Sequence, residues 1–473
     1  VTPARKRVAL LKYDLRARLG GMRKLVLGPR APQLQSLPAV FAQHSGVTEP
    51  RLNLMIPTID PARAYGGIAT ALEFFRALSP HYQRLRLVSF SDDFVNRRRG
   101  ILQHYPEYRF GGLADDGAAS KEIVSLVNAR GDLAVGPCDI FVATYWSTAY
   151  VSRRLASWRA ARYGVPPTPI VYLIQDYEPY FYAWSSEHLL ALETYRQRAT
   201  VAVYNTALLQ EYCHRQNHHY DHEYSFEASM NPLLRERLAE LSGRPKNRTI
   251  LIYGRPSVPR NAFALITEGL RVWYERFPEA ARWKVVSAGE IHPDIRLGKD
   301  LAIHSLGKLS LDEYARVLAE TGIGISFMVS PHPSYPPLEM AHYGVAVLTN
   351  GYANKNLSSW HENIRSLEDL SPEGIAAELG ALCGRVAGDP LSGWRAASHV
   401  PHYLSDEPTF PFAREIRDVL QGYESGAVPF SEAGQPQAFE IGTPCEGWRN
   451  GKCSIEIRTG SGRSSEAAIP STG

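Results

Sequence analysis

TILIYGRPSVPRN, Thr249 to Asn261, decides the fold. A run of apolar, partly β-branched residues ends at Gly254 and gives way at once to a loop stiffened by Pro256 and Pro259. A buried strand leaving a parallel sheet reads this way. Arg255 and Arg260 stand five apart on that loop. Ligands of open α/β sheets bind at the carboxyl ends of strands, and a guanidinium fork suits phosphate oxygens better than an ammonium does. Both arginines are therefore candidates to converge on one diphosphate, beside the plainer reading that both face water.

Working outward, WKVVSAG, IGISFMVS and VAVLTN repeat the strand texture downstream, separated by the helical patterns ALITEGLRVWYERF and LDEYARVLAE. Upstream, LNLMIPTI, LRLVSF, DIFVATY and PIVYLIQD alternate with segments such as ALEFFRAL. The texture breaks at SGRPKNR, Ser242 to Arg248. Strands alternating with helices predict parallel sheets covered on both faces. The expected fold is α/β, with two Rossmann-like doubly wound domains, residues 46–242 and 243–400, facing each other across a cleft. A helical segment, 401–425, has the means to pack back on the first domain. Residues 1–45 form a basic arm. Residues 426–473, rich in Gly, Ser, Pro and Glu, bury too little to offset ordering entropy and read as a disordered tail.

At 473 residues the chain exceeds one ordinary core. Its 44% hydrophobic and 21% charged residues are those of a globular protein, and a net charge of +4 makes no case for nucleic acid. The excess charge sits in RKRVALLKYDLRARLGGMRKLVLGPR, Arg5 to Arg30, whose single acid is Asp14. A peripheral membrane-surface arm and a solvated basic helix both fit it. Five scattered cysteines, Cys138, Cys213, Cys383, Cys445 and Cys453, form no Cys-x-x-Cys pair and suit a reducing compartment. No stretch reaches the roughly 20 apolar residues of a membrane span, and no signal-peptide pattern follows the basic start. The expected location is the cytoplasm, at the inner membrane face if the arm engages. The chain begins at Val1 rather than Met, which leaves a preceding segment open.

Four further segments carry possible chemistry. Gly66-Gly67, within AYGGIAT, lies at a strand-to-helix turn, where glycine lets the backbone approach an anion or simply makes the turn. In SPHPSYPPLEMA, Ser330 to Ala341, a Pro-rich loop precedes Glu339, placed to accept from sugar hydroxyls or to favour a helix start. QDYEPYF, Gln175 to Phe181, follows a strand of the first domain, so Asp176 and Glu178 are expected to face the cleft and orient an acceptor hydroxyl. Its aromatics offer apolar faces to sugar rings. His214, His218 and His222 recur at helical spacing, but a polar surface helix accounts for them better than a metal site does.

GRPSVPRN and PPLEMAHYGVAVLTN resemble the donor-binding signature of glycosyltransferase family four. QDYEPYFYAWS, GRPSVPRNAF and SPHPSYPPLEMA are similar, closer still, to the WsaF-like rhamnosyltransferases of bacterial surface-layer glycans and rhamnans. The resemblance covers roughly residues 50–400 and implies the GT-B architecture and cytoplasmic polysaccharide biosynthesis for the cell envelope. It also implies a nucleotide-sugar donor, dTDP-L-rhamnose, as substrate, with no cofactor and no metal. Arg255 and Arg260 would then bind the donor diphosphate and neutralise the leaving group, and Glu339 would hold the ribose. Gly66 and Gly67 would face the diphosphate, and Gly307 and Leu309 would contact the base through their backbone beside the charge of Lys308. His332 and Tyr335 belong to the same donor loop. The family's second glutamate falls at Pro331, which leaves the sugar contacts open. The acceptor would be a glycan or lipid-linked glycan, and transfer would retain configuration without an enzyme nucleophile. No Asp-x-Asp triplet for a divalent ion occurs, consistent with arginines supplying the positive charge. Other readings remain: another sugar from a UDP or GDP donor, a non-catalytic nucleotide-sugar-binding protein, or a nicotinamide oxidoreductase using Asp92 or Asp93, which would leave Arg255, Arg260 and Glu339 idle.

Overall fold

The computed structural model describes residues 34, 37, 40–61, 66–90, 98–114, 119–127 and 132–428. Arg5 to Arg30, Ala64, Tyr65, Asp92, Asp93, Cys445, Cys453 and the polar tail after residue 428 lie outside them.

The first half runs β1 (Ala42–His44), β2 (Arg51–Ile56), α1 (Gly67–Leu78), β3 (Arg84–Ser89), α2 (Arg98–His104), β4 (Arg109–Phe110), β5 (Lys121–Ser125), β6 (Leu133–Val135), β7 (Asp139–Ala143), α3 (Trp146–Tyr163), β8 (Ile170–Ile174), α4 (Ser186–Arg196), β9 (Thr200–Asn205), α5 (Ala207–Arg215) and β10 (His222–Phe226). Eight of these strands make one parallel sheet in the order β10-β9-β8-β7-β2-β3-β5-β4, and β1 pairs with β6 separately. All six residues of β2 are buried, as a central strand covered on both faces requires. Leu52, Leu54 and Ile56 pack with Phe74 and Phe75 of α1 in one layer. Met55 points the other way, into a layer with Val151 and Leu155 of α3.

The second half runs α6 (Pro232–Leu241), β11 (Asn247–Gly254), α7 (Phe263–Arg276), β12 (Lys284–Gly289), β13 (Ile295–Arg296), β14 (Ala302–Gly307), α8 (Leu311–Glu320), β15 (Thr321–Ile325), α9 (Pro336–His342), β16 (Ala346–Asn350), β17 (Ile364–Leu367), α10 (Pro372–Gly388) and α11 (Ala413–Glu424). Its sheet has the order β13-β14-β12-β11-β15-β16-β17, parallel except for β13. Both sheets belong to one compact unit. Among the described residues, no helix is long and apolar enough to cross a membrane.

Two segments cross between the halves. α6 falls within the 46–242 domain of the sequence reading, but Leu234 and Leu241 pack in the second half's core. Tyr343 Oη donates to Leu234 O at 2.6 Å, and Arg237 pairs with Asp312 of α8 at 2.7 Å. By packing, the first half ends soon after β10. In the other direction Phe410, Phe412, Ile416 and Leu420 join the layer of Leu52 and Phe74, so α11 completes the first half's core.

A buried ionic cluster spans the central strands of the first sheet. Asp139 accepts from Arg51 Nε and Nη2, each at 2.7 Å, and from the Gly136 N–H at 2.9 Å. Arg86 lies 3.5 Å away and donates to Asn53 at 2.6 Å. Asp139 sits opposite Arg51, and Arg86 opposite Asn53, in the strand register.

Candidate active site

The site assembles where loops at the carboxyl ends of the two sheets meet. From the first half, the chain leaves β8 through Gln175 and Asp176 into a single turn, Glu178–Phe181. From the second come the loop after β11, bearing Arg255 and Arg260, and the loop between β15 and α9, bearing Ser330, His332 and Tyr335. Asp176 is the hinge pin of this seam. Its Oδ1 accepts from the Tyr177 N–H at 2.8 Å and, very closely, from the Ser330 hydroxyl. Its Oδ2 lies 3.6 Å from Arg260 Nη1. The Arg260 guanidinium is also stacked 4.0 Å from the Phe181 ring centroid, an arrangement that orients a cation. Its side chain keeps 31% exposure. Further along, Asn205 at the end of β9 donates to Tyr335 Oη at 2.9 Å, and Asn354 donates to Leu208 O of α5 at 2.9 Å.

Polar atoms without protein partners concentrate here. Gln175 Oε1, Asn205 Oδ1, Arg260 Nε, Asn261 Oδ1, His332 Nε2 and Asn354 Oδ1 are all buried and unpaired. Buried polar groups are overwhelmingly paired in folded proteins, so such a concentration marks a binding seam. His332 is the most informative. It is 6% exposed, and its Nδ1 accepts the Ser334 N–H at 2.9 Å. An accepting Nδ1 assigns the ring hydrogen to Nε2, leaving an unused N–H donor. Burial lowers its pKa to about 4, with Asp176 opposing and Lys355 and Arg260 adding to the fall, so the donor is neutral near pH 7. Strain gathers in the same loops: Thr206, Ala262, Ser334 and Ala353 adopt positive φ without being glycine. Such conformations persist where surrounding structure enforces them, commonly at ligand sites.

Of the remaining candidates, Gly67 packs against Gln175 of this seam. Arg255 is exposed at the end of β11, its chain passing over Gly289, whose missing side chain leaves it room. Glu339, in the first turn of α9, has its pKa pushed up to about 7 by burial against the pull of the Tyr314 hydroxyl. Gly307, at φ +69, ends β14, with Lys308 exposed beyond it and Leu309 packed on the second half's core. Gly66, at φ +48, caps α1, and a side chain on Gly67 would collide with Gln175 Oε1 at 2.6 Å. Turn-making and close packing thus explain both glycines.

Glu178 does not face the cleft, contrary to the sequence reading. It is 1% exposed and accepts from the Trp146 N–H at the start of α3 and from Tyr172 Oη at 2.9 Å. The turn after Asp176 swings it inward, where burial pushes its pKa up to about 8. Two partners escaped the sequence. Lys355, in the loop after β16, is buried, donates to Met328 O at 2.5 Å, and has its pKa lowered by burial to about 7, with Asp176 opposing. Phe181 beneath Arg260 was legible only as an aromatic.

Family comparison separates the halves as the sheets do. The N-terminal domain model of WsaF matches residues 51–207, and the C-terminal domain model of WsaF matches residues 248–380, together more than half of the chain. The chain belongs to the WsaF family of glycosyltransferases. This WsaF-family chain is 29% identical over 328 residues to the O-antigen biosynthesis protein RfbC of Myxococcus xanthus, a match covering 67% of the chain. It spans about a quarter of that relative's length, 24%. Among solved structures, Anabaena HepE, crystallised with UDP and glucose, superposes with a TM-score of 0.51 at 13% identity, covering 78% of this chain and 99% of that one. At that identity the likeness concerns the fold, which is GT-B.

Proposed function

We propose that this protein transfers L-rhamnose from dTDP-L-rhamnose to a growing surface polysaccharide or glycan, with retention of configuration. The observation that carries the reading is Arg260: a partly buried guanidinium, stacked on Phe181 and loosely facing one carboxylate, at the seam of the two sheet domains. A diphosphate carries more charge than Asp176 and offers the fork two oxygens, so it would displace the carboxylate. Asp176, released from Arg260, would then accept from the acceptor hydroxyl as that hydroxyl attacks the anomeric carbon. Arg260 and Arg255 would stabilise the charge developing on the departing nucleoside diphosphate, with no covalent enzyme intermediate. The unused His332 N–H would donate to an oxygen of the donor sugar where the family's second glutamate is replaced by Pro331. The surface-polysaccharide part rests on the RfbC relative, an O-antigen biosynthesis protein. The rhamnosyl part rests on the likeness of the three loop motifs.

Calorimetric titration with dTDP, UDP and GDP, without divalent metal, tests this reading. Selective dTDP binding is expected. Preference for UDP, the nucleotide found with HepE, would keep the site and reassign the donor. Absence of any nucleotide diphosphate binding would remove the donor-site assignment.

Glu339 adds a pH signature. Below about pH 7 its carboxyl is mostly protonated, whereas ribose hydroxyls donate best to the ionised form. Nucleotide binding near neutrality should therefore release about half a proton and tighten as pH rises through the carboxyl's pKa. Titrations in two buffers of different ionisation enthalpy measure the release, which Glu339→Gln should abolish.

A further inference from the structure

We propose that His214, His219 and Glu223 form a zinc site that pins α5 to β10. The sequence reading weighed a different trio, His214, His218 and His222, spaced like one helix face, and set a metal aside in favour of a polar surface helix. The helix stops at Arg215, however, so His218 and His222 leave that face. His218 turns inward, with Nε2 3.0 Å from Tyr177 Oη. In their place the fold gathers His214 from the last turn of α5, His219 from the following loop and Glu223 from β10, with one donor atom of each within 4.8 Å of the others.

Several features suit a cation there. Two imidazoles and a carboxylate are ligands zinc takes at about 2.0–2.2 Å, leaving a fourth tetrahedral position for water. Ligand atoms around such an ion stand about 3.3 Å apart by tetrahedral geometry. The His214 Nε2 to Glu223 Oε2 contact of 2.5 Å would open by roughly that difference, with the ring hydrogen moving to Nδ1. The His214 and His219 rings already lie 4.7 Å apart. Glu223 is oriented from outside the trio, because Oε1 accepts the Tyr220 N–H at 2.7 Å and Oε2 accepts the Gln210 amide at 2.9 Å. Such outer partners hold metal-binding carboxylates in place. The end of a helix presents its carbonyls and the negative pole of its dipole, which favours a cation over the last turn of α5. The trio lies between the two family-matched spans, 51–207 and 248–380. It sits at the β10 edge of the first half's sheet.

The consequence is mechanical rather than catalytic. The opposite end of α5 touches the second half, where Asn354 bonds Leu208 O and, at 3.2 Å, Glu211. An ion tying His214 to Glu223 would fix the helix that carries this contact, while leaving the diphosphate chemistry to arginine.

The test uses the full chain stripped of metal by chelator and titrated with zinc chloride alone. Wild type is compared with His219→Ala, at an exposed position, and with His214→Gln. One zinc per chain is expected in wild type, with affinity falling in either variant by at least the roughly 10- to 100-fold that loss of an outer partner costs. Zinc should raise the unfolding temperature of wild type by more than that of either variant. Equal zinc binding by wild type and both variants would put the ion on other histidines or cysteines and overturn the proposal, as would no stoichiometric binding by wild type. Nucleotide binding, measured separately with chelator present, reports on the donor site independently.

Discussion

Arg260→Ala is expected to lower sugar transfer by on the order of 100- to 1000-fold, with Arg255→Ala compounding the loss. Arg260 is held by Phe181 on one face and faces Asp176 at 3.6 Å. It is thus directed toward the seam before any donor arrives, and preorganised charge is worth most where a leaving group develops charge away from bulk water. Arg260→Lys keeps the charge but loses the fork and the flat stacking face, so it should recover only part of the rate. Single-turnover transfer and dTDP affinity, measured on the same variants, separate the two contributions. A fall in turnover beyond the fall in affinity indicates charge stabilisation in the transition state, whereas equal falls indicate binding alone. Wild-type turnover in Arg260→Ala would remove the arginine from the mechanism altogether.

The second large effect concerns stability. Asp139→Ala should destabilise the first half by about 3–5 kcal/mol, because it removes the buried carboxylate that Arg51 and Arg86 share. Replacing the whole cluster by apolar residues of like volume should cost far less, since it removes the buried charges along with their partner. The pH dependence follows from the same site. Burial would raise the Asp139 pKa, but the bonds and charge of Arg51, the charge of Arg86 and the Gly136 N–H together hold it below the ordinary carboxylate range. A depressed folded pKa means the contribution is fully present above about pH 4, the ordinary aspartate value, and is lost as pH falls through the folded value. Denaturant titrations of wild type and Asp139→Ala should differ widely near neutrality and converge in strong acid. A gap unchanged at low pH would show that the aspartate contributes through packing instead of charge.

Much of this molecule could be read from local chemistry. LNLMI, PIVYLI, TILIYG and VAVLTN are strands because an apolar run of that length, bounded by Pro, Gly or Asn, has few other ways to bury itself. The parallel arrangement followed from the helical segments between them, and the positions of Arg255, Arg260, Asp176 and Glu339 at strand ends or helix starts followed from the arrangement. These are properties of contiguous residues and of a connection rule, both present in the chain before it folds.

Direction and partnership were decided only by packing across long sequence separations. Asp176 and Glu178 are two residues apart, yet one meets Ser330 in the other half while the other is buried against Trp146 and Tyr172. The turn between them has no local signature. α6 has ordinary amphipathic helix chemistry, and only the docking of Leu234 and Leu241 assigns it to the second core. Lys355 sits in a loop without a motif, and its buried ammonium acquires meaning from Met328 and Asp176. The histidines follow suit: spacing joined His214 to His218 and His222, but the end of α5 at Arg215 and the return of β10 regrouped it with His219 and Glu223. The sequence by itself determined which segments are strands and helices and which loops bear charge, because those preferences act within a few residues. The tertiary structure alone decided which charges meet, because a side chain's partner is set by the surfaces that two distant elements bury together.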